Sequence, residues 1–395
     1  MNARDIEQKV DMTYIQNVLM ELIKIESINP PKDGGEKKAA EFLAGKLQEL
    51  AIDAEVHEVA DGRANAVGII SGSNTGPTLV LNGHLDVVGA NPEYWDNPPF
   101  DPVIRNRRIY GRGAADMKGA IASMIGAVKL IKEADISLKG RVLLSFVCDE
   151  ESKNLGTLDF LQRYPDVDYA IIGEPTSLNL VTAHRGVARF RIGVGGKAGH
   201  AGEPENAVNA VCLMNRLISA LQDYQQIISK RKHRMLPSPT CSITTIRGGQ
   251  TDNVIPDTCE ITIDRRLIPG EDIEQVESEL KEIIQGKAGI EEDGYTMERY
   301  IFVGPGELEP NRPFFSTIEA IYGDYFDIQN VETQGFRATC EQSLFIDKGI
   351  DTAVFGPGSI GQAHQANEYV EIDELRKAAG FYYYSVLSLL GRKGN

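Results

Sequence analysis

Five short segments of the 395-residue sequence carry side chains able to hold metal ions or move protons. Gly83-His84-Leu85-Asp86 follows the apolar run Thr78–Asn82. Side chains two apart in an extended segment point to the same side, so His84 and Asp86 share a face. They read either as a metal ligand with a carboxylate that fixes its tautomer, or as a cap and a turn residue at a strand end. In Tyr110–Gly119, YGRGAADMKG, small residues surround Asp116 and a helical pattern follows. Asp116 reads as a helix N-cap, as part of a phosphate loop lacking the GKS/T ending, or as a metal-bridging carboxylate. Cys148-Asp149-Glu150-Glu151-Ser152 comes directly after the apolar run Arg141–Val147. Three consecutive acids repel one another unless a cation is present; a solvated acidic loop is the alternative. Gly173-Glu174-Pro175-Thr176 ends a further apolar run, and Ala363-His364-Gln365-Ala366-Asn367-Glu368 follows the glycine-rich GPGSIG. His84 and His364 with three carboxylates, Asp116, Glu174 and one of Glu150 and Glu151, suit a pair of divalent ions, zinc or cobalt by ligand type. One carboxylate is then left to serve as general base.

The elements that must position these residues follow from the hydrophobic pattern. Ile15, Leu19, Leu22 and Ile23 are spaced for a helix over 12–26, and Ala39, Phe42, Leu43, Leu47 and Leu50 for another over 35–50. Strands are expected at Asn65–Ser71, Thr78–Asn82, Arg141–Cys148 and Tyr169–Ile172, with a helix over Met117–Lys132. This alternation indicates an α/β domain with a mostly parallel sheet and helices on both faces. From residue 184 the pattern becomes strand, helix, strand, strand, helix, strand, which is the α+β ferredoxin-like order. The α/β pattern resumes after 300, with helices over 313–323 and 373–390 and a strand over 352–355. The expected organisation is a domain of residues 1–183 and 301–395, interrupted by an inserted domain of residues 184–300.

Composition narrows the function. Forty-one basic residues against 57 acidic ones give a net charge of −16, which argues against nucleic acid and against an anionic membrane surface. No stretch approaches a membrane span, and the N-terminal MNARDIEQKVDMTY lacks the layout of a signal peptide. The five cysteines form no CxxC and read as reduced thiols. A cytoplasmic enzyme acting on a small molecule is expected.

GHLDVV, GRGAADMKG, DEE, GEPTSL and GPGSIGQAHQANEY, in this order and spacing, resemble the dinuclear zinc metallopeptidase family that contains acetylornithine deacetylase, succinyl-diaminopimelate desuccinylase, carboxypeptidase G and aminoacylase. GEPTSL followed by AHRG, and the ending GPGSIGQAHQ, are most similar to its acetylornithine deacetylase branch. The resemblance implies His84 and Glu174 on one metal, Glu151 and His364 on the other, and Asp116 bridging both. It implies Asp86 orienting His84, Glu150 as general base, and a cis peptide at Asp116–Met117. It further implies that the inserted domain is a lid and forms a homodimer. GKAGHAGEPENAVNA would supply His200 to the neighbouring subunit's site, and GGQTDNVIPD and DRRLIPG would supply Asn253 and Arg266 to bind substrate. Arg265 should face the other side of its strand. The implied reaction is hydrolysis of the amide bond of an N-acyl amino acid through a water activated by two zinc (or cobalt) ions. A dipeptidase, carboxypeptidase or desuccinylase on the same scaffold is the alternative, and an inactive metal-bound binding protein a further one. In the loop 335–345, Glu341 would meet a cationic substrate side chain or Arg337 a carboxylate. His57, His184 and His233 match no metal position and read as structural or solvated.

Overall fold

Every residue of the strand Thr78–His84 is buried, as an unbroken apolar run requires when both faces of a sheet are covered. The structure, a computed structural model, describes residues 3–31, 33–73 and 75–391. Thr78–His84 lies between Tyr169–Ile172 and Arg141–Val147, parallel to both. Asp351–Val354 extends the parallel set beyond Tyr169–Ile172. On the other side Arg63–Ile70 and then Asp53–Ala60 add antiparallel. The sheet is therefore parallel at its centre and antiparallel at this edge. The physical reason is the connection: Asp61 and Gly62 leave too little chain between the last two strands for a parallel crossover.

Helices Met12–Lys24, Gly119–Glu133 and Ile372–Leu390 pack against one another. Asp11 caps the first by accepting from Tyr14 N at 3.0 Å. Its buried stripe is Ile15, Val18, Leu19, Leu22 and Ile23, joining one core with Leu79, Leu81, Ile121, Ile125, Phe146, Ile171 and Phe381. The strands end at His84, Val147 and Ile172, so three of the five chemistry-bearing segments emerge at the carboxyl ends of neighbouring parallel strands, where α/β sheets place their sites.

The chain divides into two units: Met1–Thr182 with Glu307–Gln334 and Cys340–Asn395, and Ala183–Gly306 with Gly335–Thr339. In the second unit Gly186–Gly195, Thr240–Gly248, Thr258–Leu267 and Tyr295–Val303 form an antiparallel sheet in which the first strand pairs with the third and fourth, and the second with the third. Helices Ala210–Ile228 and Ile273–Glu282 supply its core through Met214, Leu217, Leu221, Val276 and Leu280. The sequence grouped residues 301–306 and 335–339 with the flanking segments. They fall in the second unit because Tyr295–Val303 runs as one strand against Gly186–Gly195 and Arg185 N donates to Phe336 O at 3.3 Å. Among the described residues no helix is long and apolar enough to cross a membrane.

Candidate metal centre

The glycine-rich segment before Asp116 is shaped by contact. Gly113 adopts φ 84°, and a Cβ there would lie 2.8 Å from Val87 Cγ1; only glycine fits. The chain then makes a wide turn over Ala114–Lys118 before the helix Gly119–Glu133 begins. Asp116 is not the N-cap: that position falls two residues later, at Lys118, and the Asp116 side chain turns instead to two histidines. The Asp116–Met117 peptide is cis.

His84 Nε2 faces Asp116 Oδ1 at 3.0 Å, and His364 Nε2 faces Asp116 Oδ2 at 3.5 Å. His364 Nε2 also lies 2.9 Å from Glu151 Oε1. The two oxygens of one carboxylate thus look toward two different imidazoles. Ligand atoms of His84, Asp116 and Glu174 fall within 4.8 Å of one another, as do those of Asp116, Glu151 and His364, and those of His84, Glu150 and Glu151. All five segments singled out in the sequence meet here.

The local chemistry fits a cation. His84 Nδ1 donates to the main-chain carbonyl of Asp86 at 2.9 Å, which leaves a neutral imidazole with its Nε2 lone pair aimed at Asp116. Two acceptors at 3.0 Å need a positive charge between them. Burial opposes a charge on His84, but the Asp116 and Glu150 carboxylates outweigh it and raise its pKa well above the usual value, so a proton or a metal ion at Nε2 meets the same need. Glu174 is 3% exposed, and its Oε1 has no hydrogen-bond partner. Burial, and then the Asp116 carboxylate, hold Glu174 well above the usual carboxylate range. Burial and the Glu174 and Glu151 carboxylates do the same to Glu150 against the pull of His84. Carboxylates this crowded and this dry are the donor set that divalent ions would ionise.

These geometries have counterparts among known proteins. The chain is 32% identical over 365 residues to an acetylornithine deacetylase of Vibrio campbellii, covering 90% of this chain and 92% of that protein. It is 30% identical over 365 residues to an acetylornithine deacetylase of Klebsiella pneumoniae, with the same coverage. The profile of peptidase family M20/M25/M40 matches residues 80–388. The chain belongs to that family. As an M20/M25/M40 peptidase it is a metal-dependent hydrolase of amide bonds. Solved structures share the fold of this M20/M25/M40 chain. Aminopeptidase PepT of Bacillus cereus superposes with a TM-score of 0.78 at 19% identity, covering 96% of this chain and 99% of that one. The YXEP protein of Bacillus subtilis, a dinuclear metal binding peptidase, gives 0.72 at 18% identity, covering 96% and 98%.

Around the M20/M25/M40 centre Asp86 and Asp149, both singled out in the sequence, join a network with Asn29, Glu36 and Arg63, which were not. Asp86 meets His84 through its carbonyl, while its carboxylate is turned to the acidic loop. Its oxygens accept from Glu150 N at 3.1 Å, Glu151 N at 3.0 Å and Asn29 Nδ2 at 2.7 Å. The three consecutive acids do not all face the centre. Asp149, nearly fully buried, pairs with Arg63, whose guanidinium also reaches Glu36 Oε1 at 3.3 Å and Asn29 Oδ1 at 3.1 Å. Glu36 accepts from Asp149 N at 2.9 Å, and burial followed by the Asp86 charge raises its pKa to about 7. Arg63→Met would leave Asp149 and Glu36 buried without their cation. The expected result is a loss of ~3–5 kcal/mol of stability, read from urea unfolding of the apo-protein.

Glu341 is fully buried. Its two oxygens accept from Asn82 Nδ2 at 2.6 Å and Thr157 Oγ1 at 2.5 Å. It ties the strand carrying His84 to the helix Leu155–Arg163, which the acidic loop leads into. The expected pairing with a substrate cation is replaced by this internal role; Arg337 is exposed. His57 lies 3.1 Å from Tyr164 Oη, His184 is buried beside the Arg185 carbonyl, and His233 Nδ1 accepts from Met235 N.

The remaining three expected site residues lie in the second unit. Gly199–His200 pairs with Val254–Ile255, and Ala201 N donates to Asn253 O at 3.1 Å, so His200 and Asn253 stand together. His200 Nδ1 accepts from Gly202 N at 3.0 Å, which puts the ring proton on the exposed Nε2. Arg266 is braced by Asp264 at 2.7 Å. The adjacent Arg265 is buried on the opposite side, against Glu271 and Tyr224.

Proposed function

We propose that this chain removes the acyl group from an N-acyl amino acid, as an acetylornithine deacetylase-like hydrolase with two zinc ions, or cobalt in their place. The observation that carries the reading is the Asp116 carboxylate, whose separate oxygens face His84 and His364. His84 and Glu174 would hold one ion, Glu151 and His364 the other, and Asp116 both. Ions so bound supply a Lewis acid for the amide carbonyl and lower the pKa of water toward ~7. Glu150, on a loop held by Asp86, takes the proton of the attacking water and delivers it to the departing amine nitrogen. The exposed His200 Nε2–H, contributed by a partner subunit, donates to the developing oxyanion. Arg266 and Asn253 hold the substrate α-carboxylate. In this reading the second unit serves as lid and homodimer surface, and the enzyme is cytoplasmic, in keeping with five cysteines none of which is in a disulfide.

The names of the relatives at 30–33% identity support the acetylornithine class. The test is kcat/KM across N-acetyl, N-succinyl and N-formyl amino acids and a dipeptide series. N-acetylornithine is expected to lead, and a dipeptide ahead of every N-acyl compound would overturn the assignment.

A further inference from the structure

Two of the proposed ligands sit on separate segments with little regular structure: Asp116 at the turn before its helix, and His364 in the stretch between Asp351–Val354 and Tyr369–Glu371. Both have unusual backbone. Asp116 follows the φ 84° residue Gly113, and His364 itself adopts φ 63°. A bridging carboxylate and a terminal imidazole so placed need something to fix one against the other, because metal sites lose affinity when ligand orientation is left loose.

From Glu368 and its surroundings we infer that this residue is the latch between them, a positioning residue for the second metal ion. Glu368 is fully buried. Its Oε1 accepts from Ala115 N at 2.9 Å and Asp116 N at 3.0 Å. Its Oε2 accepts from Gly113 N at 3.1 Å and Arg112 Nη1 at 2.5 Å. The Glu368 carbonyl accepts from Gly111 N at 3.0 Å. One residue, four positions beyond His364, therefore gathers every main-chain amide from Gly111 to Asp116 except those of Arg112 and Ala114, which donate to Pro99 O and Gly111 O. Only a carboxylate serves here: each oxygen accepts twice, and an amide would turn an NH2 group toward backbone donors.

Two further contacts hold the His364 stretch, the second of them against the Asp116 segment. Asp96 N donates to Asn367 Oδ1 at 2.9 Å. Gly358, at φ 83°, approaches so closely that an added Cβ would lie 2.9 Å from Ala115 Cβ. Glu368 touches no proposed ligand side chain; it acts on Asp116 through its backbone and on His364 through the shared loop.

The inference rests on the two-ion reading above and makes a selective claim. The ion held by Asp116, Glu151 and His364 depends on both latched segments, whereas the ion held by His84, Glu174 and Asp116 depends on one. Cobalt(II) titration of apo-protein, followed by calorimetry and by the visible absorption of bound cobalt, separates the two ions. Wild type should bind two. Glu368→Gln should weaken the second ion about 10–100-fold and the first ion less, with Glu368→Asp recovering part of the loss. Thermal unfolding of the apo-proteins checks that the folded state is retained. If Glu368→Gln does not fold, Glu368→Asp is judged by the same criterion, a selectively weakened second ion. Unchanged affinity for both ions, or equal weakening of both in a folded variant, would overturn the latch. A wild type that binds no second ion would overturn the two-ion reading itself, a result distinguishable from failure of the latch.

Discussion

Glu150→Gln should lower kcat by about 10²–10⁴-fold while leaving the content of bound metal unchanged. The substitution keeps the shape of the side chain and removes its ability to accept a proton. It spares the architecture because the acidic loop is held by main-chain donors: Glu150 N and Glu151 N both donate to the Asp86 carboxylate. The Glu150 side chain is not needed for that grip. The burial and carboxylate neighbours that lift its pKa also suit it to hand a proton onward to an amine. Stopped assays of amine release, with metal analysis of the same samples, decide the matter. Wild-type turnover by a fully metallated Glu150→Gln protein would remove Glu150 from its role.

Asp116→Asn is expected to have the largest effect: activity at the assay background and loss of both ions under conditions where wild type retains them. Asn keeps the side-chain outline but not the charge. Asp116 belongs to both of the groups proposed to hold an ion, with His84 and Glu174 and with Glu151 and His364, so neither ion would escape the change. Its pKa is lowered although burial opposes its charge, because His84 faces it; replacing it also removes the partner of that imidazole. The fold should persist, since the Asp116 backbone is anchored by Glu368, and apo-protein unfolding should match wild type. Retention of two ions by Asp116→Asn would show that Asp116 does not bridge.

The site was legible where an apolar run stops abruptly at a chemically capable residue. His84, Glu150, Glu151 and Glu174 follow runs that become buried parallel strands, and topology brings such strand ends together. The fold was legible for the same reason: helical spacing in Met12–Lys24 and Gly119–Glu133 faces a core large enough to enforce it. What could not be read was set by distant partners. No local feature of Arg63 announces Asp149, 86 residues away. Glu341 sits beside the site in sequence logic, yet Asn82 and Thr157 claim it. Asp116 precedes a helix as an N-cap would, but Lys118 holds the cap position and the Asp116 amide is taken by Glu368, 252 residues on. The antiparallel strand Asp53–Ala60 has little buried surface, and its sequence DAEVHEVA carries no core signal strong enough to mark an edge.

In the proposed function the chain needs a centre of two ions to cleave an amide. The most direct measurement strips the protein with a chelator and follows N-acetylornithine hydrolysis as zinc or cobalt is returned in measured equivalents. Activity should vanish in the apo-protein and reach its plateau at two equivalents per chain. Full activity in protein holding no metal would show that the centre is not needed for amide cleavage.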